Sequence, residues 1–190
     1  PFRLRFEDRG DAWAVTFLGG PTGDGPWSVC ANARVVLRNE TPATTVDLAA
    51  LDDRLADCAG ESASGSGFLR TRQEAHLRFG PRWQVLRRLR RNDVEALAEL
   101  RLAEPVQAET ADYGIHPGLL DIATGCAMDL ISGYAEQEVA EQLWVPLSYR
   151  RFVFHAPLGA SVRSWIRIQE SSSVASGFAA FDVTLTDPEG

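Results

Sequence analysis

Three stretches near the start of the chain are patterned as strands, the first of them alternating apolar and polar positions with a period of two. Phe2–Phe6 runs Phe-Arg-Leu-Arg-Phe, Ala12–Leu18 follows, and Trp27–Leu37 is the third, after the turn cluster Gly19-Gly-Pro-Thr-Gly-Asp-Gly-Pro. Such patterning between turn signals predicts strands. Three antiparallel strands without a helix look like the end of a domain rather than a whole one. The character then changes. Thr41-Pro-Ala-Thr-Thr predicts a loop, Val46–Ala59 a short helix, and Glu61-Ser-Ala-Ser-Gly-Ser-Gly a linker. Arg70–Leu89 has helix-like spacing interrupted at Phe79-Gly80-Pro81, with Trp83, Val85, Leu86 and Leu89 as apolar anchors. Val94–Leu102, Leu143–Val153 (broken by Pro146), Ser161–Ile168 and Phe178–Leu185 predict four further strands.

Between the first two of these four, residues 117–132 predict a helix, with Pro117 in its first turn, where a missing N–H costs nothing. At about 100° per residue, Asp121, Thr124, Gly125, Met128 and Ser132 share one face. Leu119, Leu120, Ile122, Ala123, Cys126, Ala127, Leu130 and Ile131 make the rest of the circumference apolar or small, which predicts a buried helix. Asp121 is then a lone carboxylate one turn into that helix. It is either a capped or salt-bridged structural residue or a carboxylic acid kept protonated by desolvation, a proton donor at neutral pH. The partial positive charge of the helix N-terminus opposes the second reading. One buried helix wrapped by about five antiparallel strands is an α+β, hot-dog-like layout.

Composition narrows the chemistry. All 19 basic residues are Arg, so Schiff-base and P-loop chemistry, which need a lysine amine, are excluded. A formal net charge of −7 argues against general nucleic-acid binding. The charge is uneven: Arg70 to Arg91 carries eight Arg against a single Glu, either a solvated face or a docking site for something acidic. Cys30, Cys58 and Cys126 are odd in number and far apart, so neither a disulfide framework nor a zinc site is expected, and a reducing cytoplasm is. No apolar run is long enough to span a bilayer, and no signal peptide is read at the start. The Ser-Gly pairs near residue 65 do not fit Gly-x-Ser-x-Gly.

Three segments, in order, carry a family resemblance: Phe79-Gly80-Pro81-Arg82-Trp83, His116-Pro-Gly-Leu-Leu-Asp121, and Val145-Pro146-Leu-Ser-Tyr-Arg150 followed by Pro157. They resemble the Tyr-Gly-Pro-x-Phe motif, the His-Pro-x-Leu-Leu-Asp motif and the closing strand of polyketide synthase dehydratase domains, which are double hot dogs. The second is the most specific, and together they cover roughly residues 68–185. The resemblance implies that residues 1–39 are the last strands of a first hot dog, 40–67 a linker, and 68–190 a second hot dog carrying the catalytic Asp121. By the same resemblance Phe79, Gly80 and Pro81 line a substrate tunnel, His116 is structural, and the Arg-rich window is a weaker site of carrier contact.

Two departures stand out. The family's general base is a His within His-x-x-x-Gly-x-x-x-x-Pro, and His76, His116 and His155 all lie outside such a motif. That implies a fragment starting after the base, incomplete as an enzyme on its own. The family also usually places Gln or His four residues beyond the Asp to help orient the substrate hydroxyl, where this chain has Gly125. The implied activity is loss of water from a β-hydroxyacyl thioester, with no bound cofactor and no metal. Its implied partners are an acyl carrier protein, the upstream half of the same dehydratase, and a second copy in a homodimer within the synthase. Two alternatives stay open: a product-template-like domain guiding cyclisation of a poly-β-keto chain, and an inactive dehydratase-like scaffold.

Overall fold

The computed structural model describes residues 1–21, 25–37, 43–57, 67–136 and 143–190. Of the expected linker 40–67, residues 40–42 and 58–66 lie outside them. The chain divides into two compact units, Pro1–Ala43 and Thr44–Gly190.

The first unit is an antiparallel meander of β1 (Phe2–Asp8), β2 (Trp13–Gly19) and β3 (Ser28–Val35), in that spatial order. All three strands lie where the sequence pattern predicts them. Val15 and Leu18 of β2 are buried, and a register shift between Phe17 and Leu18 explains their odd spacing. Phe2, Leu4 and Phe6, the apolar face of β1, are exposed.

The second unit begins within the segment expected to connect the domains. Asp47 caps α1 (Leu48–Arg54) by accepting from Ala50 N at 3.0 Å, and β4 (Ala56–Asp57) follows. The expected helix 46–59 is therefore shorter. Then come β5 (Leu86–Arg91), β6 (Glu95–Arg101), α2 (Glu104–Gln107), α3 (Pro117–Gly125), β7 (Ser161–Ile168) and β8 (Phe181–Thr186). The strands form one antiparallel sheet in sequence order, with α3 against one face. Ala96, Ala98 and Leu100 of β6 join Leu119, Ile122 and Ala123 of α3 in the main core. Leu97 points the other way and packs with Leu51 and Leu55. Sheet wrapped on helix is the hot-dog arrangement expected.

Three expectations are corrected. Arg70–Leu89 forms two short 3-10 turns, Arg72–Ala75 and Pro81–Trp83, and then β5, not a helix. A bulge between Leu86 and Arg88 turns Leu86 and Leu89 to the same buried side, imitating helical spacing within a strand. The helix predicted over 117–132 ends at Gly125, though Cys126, Ala127, Leu130 and Ile131 remain buried beyond it in a further 3-10 turn, Met128–Leu130. Leu143–Val153 forms no strand. Pro146 and Pro157 cannot donate to a ladder, and Val145, Leu147, Phe152 and Phe154 are exposed.

Most of the Arg-rich window is engaged on the second unit itself. Arg88, Glu99 and Arg163 lie on one cross-strand rung, with Arg90 also paired to Glu99 and to Asp52. Arg54 donates to Glu95 from two of its guanidinium nitrogens, Nε and Nη2, at 2.6 and 2.9 Å, while Trp165 Nε1 donates to the same carboxylate at 2.7 Å. The Arg54 guanidinium holds the Glu95 carboxyl below the usual carboxylate range, with Trp165 adding to the effect. The window therefore works mainly as a structural network.

Candidate active site

The site is built on the entry to α3. His116 caps the helix: its Nδ1 accepts from Gly118 N at 3.1 Å, which leaves Nε2–H to donate to Glu109 at 3.3 Å. The ring is 2 % exposed and both nitrogens are occupied, so His116 supports the helix and is not a free base. Glu109 also takes three hydrogen-bond contacts from Arg82, between 2.6 and 3.0 Å. Arg82, and to a lesser degree His116, hold the Glu109 carboxyl below its ordinary range.

These contacts pin the turn Pro81–Trp83 to the first turn of α3. Gly118 is the point of closest approach. A Cβ there would stand 2.1 Å from the Arg82 carbonyl oxygen, nearer than any real contact, so only glycine fits. Trp83 consequently lies over the helix, and its Nε1 donates to Asp121 Oδ2 at 2.7 Å.

Asp121 is exposed, which corrects the prediction of a helix buried nearly all round. Leu119, Ile122 and Ala123 are buried against the sheet, and Ser164, itself buried, donates to the Ala123 carbonyl at 2.9 Å. The opposite face is open: Thr124 and Gly125 are half-buried. Tyr149 reaches it, with its hydroxyl 3.4 Å from Thr124 Oγ1.

Of the other predicted site residues, Phe79 is half-buried against the main core, while Gly80 and Pro81 are exposed. Pro81 starts the turn that carries Trp83, and the Gly80 carbonyl accepts from Trp83 N at 2.9 Å. Trp83 and Tyr149 sit inside the quoted motifs, but their contacts span 38 and 25 residues and left no local signal. A groove of about 500 Å³ bounded by Arg87, Arg101, Gln107 and Arg163 does not include Asp121.

Among the described residues, no group of three or more His, Cys, Asp or Glu is placed to hold a metal ion, and no helix is long and apolar enough to cross a membrane. The site therefore offers one carboxyl group, oriented by an indole, on an open helical face. That suits proton transfer to a bound substrate.

Residues 47–190 match the family model described as the polyketide synthase dehydratase N-terminal domain. The spectinabilin polyketide synthase system protein NorA' of Streptomyces orinoci is 37% identical over 138 residues, which are 73% of this chain and 4% of that protein. The polyketide synthase GfsE of Streptomyces halstedii is 33% identical over 59% of this chain and 3% of its own length. The dehydratase domain of RzxB from Pseudomonas fluorescens superposes with a TM-score of 0.74 at 22% identity, over 98% of this chain and 62% of that one. The dehydratase domain from the CurF module of curacin polyketide synthase gives 0.70 at 18% identity, over 97% and 61%. The chain thus spans a small part of the curated relatives and about three-fifths of the solved dehydratase domains. It belongs to the polyketide synthase dehydratase family.

Proposed function

We propose that this chain supplies the acid half of a dehydratase that removes water from a β-hydroxyacyl thioester carried on an acyl carrier protein. Asp121 protonates the departing hydroxyl, and a His base on a preceding segment takes the α-proton. The observation that carries the reading is the Trp83–Asp121 hydrogen bond, which aims one carboxyl group across an exposed helical face that a thioester can approach. Hydroxide is a poor leaving group, and a positioned acid accelerates its loss by about 10²–10⁴-fold. No step requires a bound cofactor or a metal.

The same reading makes residues 68–190 the second hot dog, although the matched family model is described as an N-terminal domain. The His116–Asp121 motif and the separate strand unit ahead of it support that order. The chain then works in the cytoplasm with the upstream half of its dehydratase and inside a dimeric synthase. Asp121→Asn in the complete dehydratase tests the proposal. It keeps the shape and removes the transferable proton, so kcat falls by about 10²–10⁴-fold with KM little changed. Full activity per folded molecule would assign Asp121 a structural role instead.

A further inference from the structure

We infer that Gln73 is a second member of the site and donates a hydrogen bond to the departing hydroxyl oxygen beside Asp121; this rests on the dehydratase reading. Gln73 lies in the turn Arg72–Ala75, which is clamped against the chain beyond α3. Arg72 Nη1 donates to the Tyr134 carbonyl at 2.9 Å, and the guanidinium lies 5.2 Å from the Tyr134 ring centroid and 4.0 Å from Asp129. Thr71 N donates to Glu74 Oε1 at 3.2 Å and closes the turn's capping box. The clamp carries the Gln73 amide over Gly125, with Nε2 3.8 Å from where a Cβ on Gly125 would stand. Among the described residues, no other heavy atom outside the helix backbone and the neighbouring Thr124 and Cys126 comes within 4 Å of that point. Gly125 is one helical turn beyond Asp121, on the same face.

The bonding of Gln73 separates it from a structural glutamine. Its main-chain carbonyl holds the turn, accepting from His76 N at 2.9 Å and Leu77 N at 3.1 Å. Its side-chain Oε1 is buried and has no partner among the described residues. No hydrogen bond through Oε1 therefore ties the side chain into the fold. An amide held by its backbone, unpaired at Oε1 and set over Gly125, one turn beyond Asp121, is suited to a ligand.

The chemistry uses it as follows. An imidazole base removes the α-proton, and the C–H electron pair becomes the C=C bond. The C–O bond breaks with its pair moving onto oxygen, and the Asp121 proton completes a water molecule. That oxygen has another lone pair, to which Gln73 Nε2–H donates. No proton crosses from Gln73; its bond strengthens as charge builds on oxygen, so it favours the transition state over the bound substrate.

The test compares Gln73→Leu with Asp121→Asn in the complete dehydratase. Leucine fills much the same space without polar atoms. Gln73→Leu should lower kcat about 10²-fold with KM little changed, the cost of losing one donor to developing charge. Its unfolding midpoint should be unchanged or higher, because an unpaired buried acceptor has gone. Adding Gly125→Gln, which replants an amide on the same face, should restore part of the lost kcat. The inference is overturned if Gln73→Leu keeps full kcat while Asp121→Asn does not. It is also overturned if the loss only tracks the unfolded fraction, or if the double variant recovers nothing. Full activity in Asp121→Asn would instead remove the dehydratase reading.

Discussion

Trp83 and Asp121 are 38 residues apart in sequence and 2.7 Å apart at indole Nε1 and Oδ2. Trp83→Phe keeps an aromatic ring and removes the donor together with the five-membered ring. The carboxyl group then loses its orientation while remaining an acid. We expect kcat to fall by about tenfold, less than removal of the acid, because a loosened catalytic group costs less than a missing one. Unchanged kcat with a lowered unfolding midpoint would make the bond purely structural.

Gly118→Ala forces a methyl group into the Arg82 carbonyl at 2.1 Å, where backbone must move. A loss of about 3 kcal/mol is expected. Gly114→Ala is the internal comparison: its Cβ would meet the outer atoms of the Phe154 ring at 2.8 Å, and a ring edge can swing aside. Denaturant midpoints should rank Gly118→Ala well below Gly114→Ala. Equal losses would contradict the backbone contact.

Glu95 and Glu109 are both held below the ordinary carboxylate range, chiefly by hydrogen bonds from Arg54 and Arg82. At acid pH the unfolded chain binds these protons before the folded one does. Each pair's contribution is therefore complete above the unfolded carboxylate range, roughly pH 4, and is lost as pH falls through the depressed folded values. Urea midpoints should drop on acidification through that window, with a shallower drop in Glu109→Gln. A variant as acid-sensitive as the parent would exclude Glu109 from the effect.

Burial pushes the Cys126 thiol up to about 12, whereas Cys30 is exposed. At neutral pH iodoacetamide should modify Cys30 in the folded chain and leave Cys126 intact until denaturant is added. Peptide mapping checks this, and labelling of both at equal rates would mean the core beneath α3 opens readily.

Local patterns disclosed much of the fold because several elements obey a local period. β1, β2, β3, β6, β7 and β8 appear where alternation or apolar spacing puts them. Failures arose where tertiary geometry overrode the period. The bulge at Arg87 gave β5 the spacing of a helix, and the extended run from Leu143 lacks a ladder despite its strand-like residues. Asp121 was legible through its motif, and its exposure was not, since exposure depends on how far α3 sinks into the sheet. Trp83, Tyr149 and Gln73 reach the site from other elements. A one-dimensional reading had no means of aiming them at α3.

The meeting of Gly118 with the Arg82 carbonyl has a consequence for how such a site can diversify. The location of Asp121 is set by this main-chain contact together with the Arg82–Glu109–His116 contacts, so side chains outside that set can vary without displacing it. On the dehydratase reading, Gly125 and Tyr149 border Asp121 without holding it and can be exchanged to suit different acyl groups, whereas Trp83 and Gln73 are tied to the acid. Position 118 is closed to such exchange. Selection for new substrates would therefore be channelled to positions 125 and 149, and a library that spares residue 118 should retain far more folded variants than one that randomises it.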